Sequence, residues 1–147
     1  TFNVKKGQTV YNEITQPDAA NLARNLYSSN NNFGSDLINS YAWDTAIVFI
    51  QTFSGDTDYS QQIRLQTTLT TTGNAHSGSN YDERCNIYDM AGNVSEWSTE
   101  ASTDRSNPCV DRGGDYNLYG YGYTANRNYD DTSYSSTDIG FRSTLYL

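Results

Sequence analysis

Apolar residues along this chain come in short, widely spaced groups, and two of these groups carry a helical period. The first follows Thr15-Gln16-Pro17-Asp18, which has the form of a capping box. The Thr hydroxyl can accept a free amide and the acid can reach back. Pro sits in the first turn, where its missing N–H costs nothing. Leu22, Ala23 and Leu26 then recur at helical spacing, so a short helix is predicted over about 18–28. Ser28 to Ser35 reads as a loop. Ser40 can cap a second helix, Tyr41 to Phe53, whose buried stripe is expected to be Ala42, Ala46, Ile50 and Phe53. Thr1 to Val10 alternates weakly and reads as an edge strand. Ser54 to Ser79 is mostly Thr, Gly, Gln, Asp and Ser and is expected to be irregular, with His76 a solvated loop residue. The second half breaks into short strands and turns: Asn86 to Tyr88, Val94 to Thr99, Val110 to Arg112 and Gly140 to Leu147. Helices first and strands afterwards indicate an α+β fold rather than alternating β/α units.

Composition narrows the class. A length of 147 residues is that of one domain, 1–147, able to bury most of its apolar surface. Hydrophobic residues make up only 35%, and 13 of them are Tyr, so the aliphatic core is small. Aromatic residues at 14% separate the chain from disordered compositions. A net charge of −8 repels phosphate backbones and anionic lipid, which argues against nucleic acid and membrane surfaces as partners. The longest apolar run, Ala46 to Ile50, is core-sized and far too short for membrane insertion. The chain starts at Thr1 and is expected to be the C-terminal module of a longer protein. Cys85 and Cys109 fit either an extracellular disulfide, adding about 3 kcal/mol, or two free buried thiols. With one His they are too few for a Cys/His zinc site, and no metal site is expected on that ground.

The most specific string is Asn86-Ile87-Tyr88-Asp89-Met90-Ala91-Gly92-Asn93-Val94-Ser95-Glu96-Trp97, followed by Arg112-Gly113-Gly114 and then Gly140-Phe141-Arg142. These three motifs, in this order, resemble the formylglycine-generating-enzyme branch of the C-type lectin fold. Tyr41-Ala42-Trp43-Asp44 before an apolar helix is similar to that family's Trp-bearing second helix. The resemblance implies a C-type-lectin-like fold with two short helices, small antiparallel sheets and long irregular loops. Physically, Gly92, Gly113 and Gly114 permit conformations or approaches that a Cβ forbids, and Trp97 can anchor a small core. Asn93 and Glu96 can satisfy buried backbone groups, and Arg112 and Arg142 can pair with acids such as Asp89 or Glu96. Because the family's enzymes bind calcium through loop oxygens, a structural calcium held by Asp89, Asn93 and Glu96 is the alternative role for these residues.

The same enzymes oxidise a substrate cysteine with a metal-binding cysteine pair placed shortly after the Arg-Gly-Gly motif. Aligned without gaps from Arg112, those positions fall on Leu118 and Tyr123, neither of which can form a thiolate. No catalytic residue is therefore expected, and no cofactor beyond that calcium. The segment from Asp111 to Leu147 instead has a restricted alphabet, with no Lys, Glu, Gln, Met or Trp in 37 residues. Between Asp115 and Asp138, Tyr, Asn, Asp, Ser, Gly and Thr fill 21 of 24 positions. Tyr gives stiff contact area and Ser, Gly and Asn adaptable polar contacts, the chemistry of a paratope. The five missing residue types are those that an Asn codon ending in a pyrimidine cannot reach when only its adenines change.

In alphabet and position this segment is similar to the variable proteins of diversity-generating retroelements. That resemblance implies a phage receptor-binding or bacterial surface-displayed protein, located on a virion or cell surface, whose partner is a protein or surface glycan. It casts Arg112, Gly113, Gly114, Ile139, Gly140, Phe141 and Arg142 as frame. Tyr116, Asn117, Tyr119, Tyr121, Tyr123, Asn126, Asn128, Tyr129, Asp130, Tyr134 and Ser135 become the recognition face, with Arg127 assignable to either. Two alternatives stand beside this reading. One is a divergent oxidase of the formylglycine-generating type. The other is a calcium-dependent carbohydrate-binding lectin, to which Gln16-Pro17-Asp18 would lend a sugar-selecting tripeptide.

Overall fold

The computed structural model describes residues 9–29, 32–62, 82–116 and 122–147. The first eight residues of the expected edge strand therefore lie outside the described residues, as does His76. Helix α1 runs Gln16–Asn25. The Thr15 hydroxyl accepts the Asp18 amide at 3.4 Å and donates to the Asp18 carboxylate at 2.9 Å. The helix starts and ends earlier than the pattern predicts, because Thr15 is its cap and the chain turns at Asn25, whose carbonyl accepts the Ser28 amide. A strand, β1, runs Gly34–Leu37 and takes in the last two residues of the loop expected over Ser28 to Ser35.

Helix α2, Ser40–Phe53, is capped by the Asn39 side chain, which accepts the Ala42 amide at 2.8 Å, rather than by Ser40. Its buried face is Trp43, Ile47 and Ile50, with Ala42 and Ala46 only partly covered and Phe53 exposed. The larger side chains at i, i+4 and i+7 set which way the helix faces. Phe53 lies about 120° around the axis from Ile47 and cannot reach the same core.

In the described part of the stretch expected to be irregular there is a 3-10 turn, Tyr59–Gln61, and Tyr59 is fully buried. Strands β2 (Glu83–Arg84) and β3 (Ile87–Tyr88) form a hairpin. Cys85 and Asn86 join them with φ of 53° and 62°, the signature of a type I′ turn.

The main sheet has four strands in the order β6-β5-β4-β7, formed by Arg127–Asp130, Cys109–Arg112, Ser95–Ala101 and Ile139–Phe141. Its β6-β5-β4 part is antiparallel, but β7 lies parallel to β4, so the sheet is mixed rather than purely antiparallel. The predicted strand Gly140 to Leu147 is split at Arg142. Its second half, β8 (Ser143–Tyr146), leaves the sheet to pair with β1, Gly34 opposite Tyr146.

Two apolar clusters hold these layers. Trp97 packs with Ile14, Ala19, Ala23, Leu37 and Ile139, so α1 lies against the sheet. Trp43 packs with Ile38, Ile47, Ile50, Tyr59 and Met90, joining α2 to the loop after β3. Each indole also fixes a distant segment, Trp97 Nε1 donating to the Ile14 carbonyl at 2.8 Å and Trp43 Nε1 to the Thr124 carbonyl at 3.0 Å.

Candidate recognition face

The chemistry of the Asn86-to-Trp97 string is largely backbone chemistry. Asn86, Asp89 and Asn93 all have positive φ, a region that Asn and Asp enter more readily than other side chains bearing a Cβ. Gly113 has φ of 85°, and a Cβ there would stand 2.7 Å from the Met90 carbonyl oxygen. Glu96 receives Arg142 bidentately, Nε at 2.8 Å and Nη2 at 2.9 Å, and the same Nη2 donates to the Tyr88 carbonyl at 2.8 Å. The pairing expected between these two motifs is therefore present. Asp82, adjoining them, accepts the Tyr59 hydroxyl and the Ala91 amide. Burial, and then the Asp82 charge, push the Tyr59 phenol far above its ordinary range.

Arg112 departs from the expectation. Although it faces Glu96 across the strands, Glu96 is already held by Arg142. The fully buried Arg112 instead binds Asp44 of α2 and Glu100 of β4, the latter at 3.1 Å. Arg127 completes a square, donating to Glu100 at 2.9 Å and to Asp44 at 3.2 Å. Burial pushes Glu100 upward, but bonds from Arg127 and Ser40 and the charges of both arginines hold it below the usual carboxylate range. Arg127, assignable to frame or face from sequence, thus belongs with the frame and ties β6 to α2.

On that frame the candidate residues occupy one sheet edge and its loops. Gly114 packs tightly on the Gly122 backbone, closing the base of the connection from β5 to β6. Thr124, buried, is tied to Gln62 through both its amide and its hydroxyl. Asn117, Tyr119 and Tyr121 lie outside the described residues, as does Leu118. Tyr123, Tyr129 and Tyr134 are between 41% and 51% exposed, and Ser135 is also exposed. Tyr116 is half-buried, with its hydroxyl on Thr137 Oγ1 at 3.1 Å.

The two asparagines are partly engaged in the frame. Asn126 Nδ2 donates to Asn128 Oδ1 at 3.1 Å, and Asn128 Nδ2 donates to the buried Asp111 carboxylate at 3.2 Å. Strand alternation puts Asn128 and Asp130 on the Asp111 side of the sheet, and Arg127 and Tyr129 on the α2 side. The face is therefore a rim that wraps the β6 edge rather than a flat patch. It is acidic. Burial raises Asp111 despite bonds from Ser95 and Asn128, and burial followed by the charges of Asp111, Asp131 and Asp138 raises Asp130. Asp131 is lowered by the Ser133 hydroxyl and amide.

The other sequence candidates have structural engagements. Cys85 and Cys109 are free thiols, so the disulfide alternative is not realised. Burial, and then Asp131 and Asp130, push the Cys109 thiol up, away from the reactive thiolate. Tyr123 presents an exposed phenol. Of the residues offered for calcium, Glu96 binds the Arg142 guanidinium with both oxygens, the Asn93 amide donates to Asp89 at 3.4 Å, and the Asn93 side-chain oxygen is buried without a hydrogen-bond partner. Among the described residues, no group of three or more His, Cys, Asp or Glu side chains comes together. Gln16-Pro17-Asp18 opens α1, with Gln16 bound to the Ser98 carbonyl and Asp18 to Thr15.

Sequence reasoning missed Asp44, Glu100 and Asp111, which position β6. Asp44 stood in the quoted Tyr41-to-Asp44 string without an assigned role, and Glu100 and Asp111 signalled only by their charge in β-forming segments.

A protein-family model described as the sulfatase-modifying factor enzyme 1-like domain matches residues 18–145. Among solved structures, CarF superposes with a TM-score of 0.70 at 19% identity, over 91% of this chain and 66% of CarF. Treponema denticola variable protein 1 superposes with a TM-score of 0.51 at 21% identity, over 78% of this chain and 48% of that protein. The chain thus spans less than two thirds of the first and about half of the second, and at these identities the likeness is one of fold. No curated protein sequence matches significantly.

Proposed function

The chain belongs to the sulfatase-modifying factor enzyme 1-like family, and from that membership we propose that it is a non-catalytic member that binds a ligand through the β6 edge. One observation carries the proposal. Where the family's enzymes place a thiol pair, this chain has Leu118 and Tyr123, while its two cysteines sit in a hairpin turn and, buried, in β5. On the ungapped alignment from Arg112, one of the two positions that would do redox chemistry is the exposed Tyr123.

Exposed Tyr123, Tyr129, Tyr134 and Ser135 are the contact residues within the described part of the face, and by sequence Asn117, Tyr119 and Tyr121 are assigned to the same role. Tyrosine rings supply contact area at low entropy cost, and the short polar side chains set orientation. The partner is a protein or a surface glycan, and the protein acts at a virion or bacterial surface, with the face diversified by a retroelement.

The test is binding of the chain to intact bacterial cells and to a glycan array. A Tyr129→Ala/Tyr134→Ala variant should lose binding while melting like the parent. Binding retained in that variant would place recognition elsewhere. Thiol-dependent oxidation of a cysteine peptide, lost in Cys85→Ser or Cys109→Ser, would return the chain to the oxidases.

A further inference from the structure

Helix α2 has a second face, opposite the one it buries. Tyr41 is 87% exposed, Val48 61%, Phe49 42% and Phe53 69%. Thr45 and Thr52 are exposed between them. At 100° per residue these six side chains cover an arc of about 140° of the helix, as wide as a core-facing stripe. The Phe49 and Phe53 rings pack at 4.8 Å, and the Thr52 hydroxyl donates back to the Val48 carbonyl at 2.7 Å. The four apolar side chains leave on the order of 500 Å² in contact with water, near the upper end of what a monomer usually exposes as one patch.

Charge decides what can cover it. The chain carries −8, so two copies repel across most of their surfaces. The helix Ser40–Phe53 contains a single ionisable acid or base with a full charge, Asp44, which is bound to Arg112 and Arg127 on the flank. The stripe is thus an uncharged face on an acidic protein, where a second copy meets no like charge. It is also self-complementary. In an antiparallel arrangement about a two-fold axis near Val48, the Tyr41 end of each stripe lies alongside the Phe53 end of the other. Two such stripes bury roughly 1,000 Å² together, just under the lower bound for stable specific interfaces, which implies a concentration-dependent dimer.

We propose that α2 forms the interface of a two-fold homodimer, packing antiparallel against the α2 of a second copy. The proposal rests on α2 alone and is independent of what the β6 edge binds.

Sedimentation velocity on the 147-residue chain, from micromolar to millimolar, tests it. The mass should rise from one chain to two. Val48→Glu and Val48→Lys should each be monomeric with parental melting, because each sets like charges together at the axis. Their equimolar mixture should dimerise again, since each Glu then meets a Lys. A parent that stays monomeric at millimolar concentration, a Val48→Glu variant that dimerises like the parent, or a mixture that fails to associate would each overturn the proposal. If a Val48 variant unfolds, Tyr41→Glu mixed with Phe53→Lys asks the same question at the ends of the stripe, with the same outcomes.

Discussion

Replacing Arg142 with Met isolates the bond that ties the family's terminal motif to its central one. Arg142 gives Glu96 two hydrogen bonds and the Tyr88 carbonyl a third, and its guanidinium lies 6.0 Å from the Trp43 ring centre. The Glu96 side chain is only 10% exposed and that of Arg142 27%. Without the guanidinium, Glu96 loses the two hydrogen bonds and the ion pair that hold it in an enclosed site, and the Tyr88 carbonyl loses a donor. Breaking a buried pair from one side costs about 3–5 kcal/mol, and the partial exposure of Arg142 places this one near 3. For a chain of this length that corresponds to a fall of roughly 10 °C in Tm. Thermal and urea melts followed by circular dichroism read it. The Glu96→Leu/Arg142→Met double variant should recover most of the loss, since no charge is then stranded. A single variant losing less than about 1 kcal/mol, or a double variant as unstable as the sum of the two singles, would refute the reasoning.

Three further outcomes follow from the same geometry. Gly113→Ala should cost more than about 2 kcal/mol in the same melts, because the backbone has φ of 85° and the new Cβ meets the Met90 carbonyl. Thr15→Ala should cost about 1 kcal/mol and fray the first turn of α1, visible as faster amide exchange at Asp18. Asp111 and Asp130 have carboxyls raised in the folded state, so the fold binds their protons more tightly than the unfolded chain does. Their contribution to stability grows as pH falls through the raised values toward the ordinary carboxylate range, and is lost as pH rises above them. Glu100 and Asp131 act in the opposite sense. Asp111→Asn should therefore raise Tm more at neutral pH than at about pH 4. An equal change at both would show that Asp111 carries no raised carboxyl.

What the sequence made legible is what local chemistry determines. Thr15 with Asp18 announced α1, and Gly113 of the Arg-Gly-Gly motif marks a position where the backbone turns left-handed. The Glu96–Arg142 pair was legible because both residues sit in recognisable motifs. What stayed hidden depends on partners far along the chain. β1 is a strand because β8 lies beside it, about a hundred residues later, and nothing in Gly34–Leu37 alone says so. Tyr59, in a polar stretch, is buried because Asp82 accepts its hydroxyl. Arg112 was assigned the wrong acids because its true partners, Asp44 and Glu100, come from a helix and a strand end that no motif connects. At the site, the Tyr, Asn and Ser alphabet picked out a segment whose described residues lie along and beside the β6 edge. It could not show that Asn126 and Asn128 also brace β6 through Asp111, since that depends on strand register.

The central claim is that a fixed family frame carries a variable binding edge, and sequencing this gene from many members of its source population, with the DNA downstream, tests it most directly. Substitutions should concentrate at Tyr116 to Ser135 and arise at adenines, beside a near-copy of the 3′ end and a reverse-transcriptase gene, while Glu96, Arg112, Gly113 and Arg142 stay constant. Variation spread evenly over frame and edge, or an edge as constant as the frame with no such copy nearby, would contradict it.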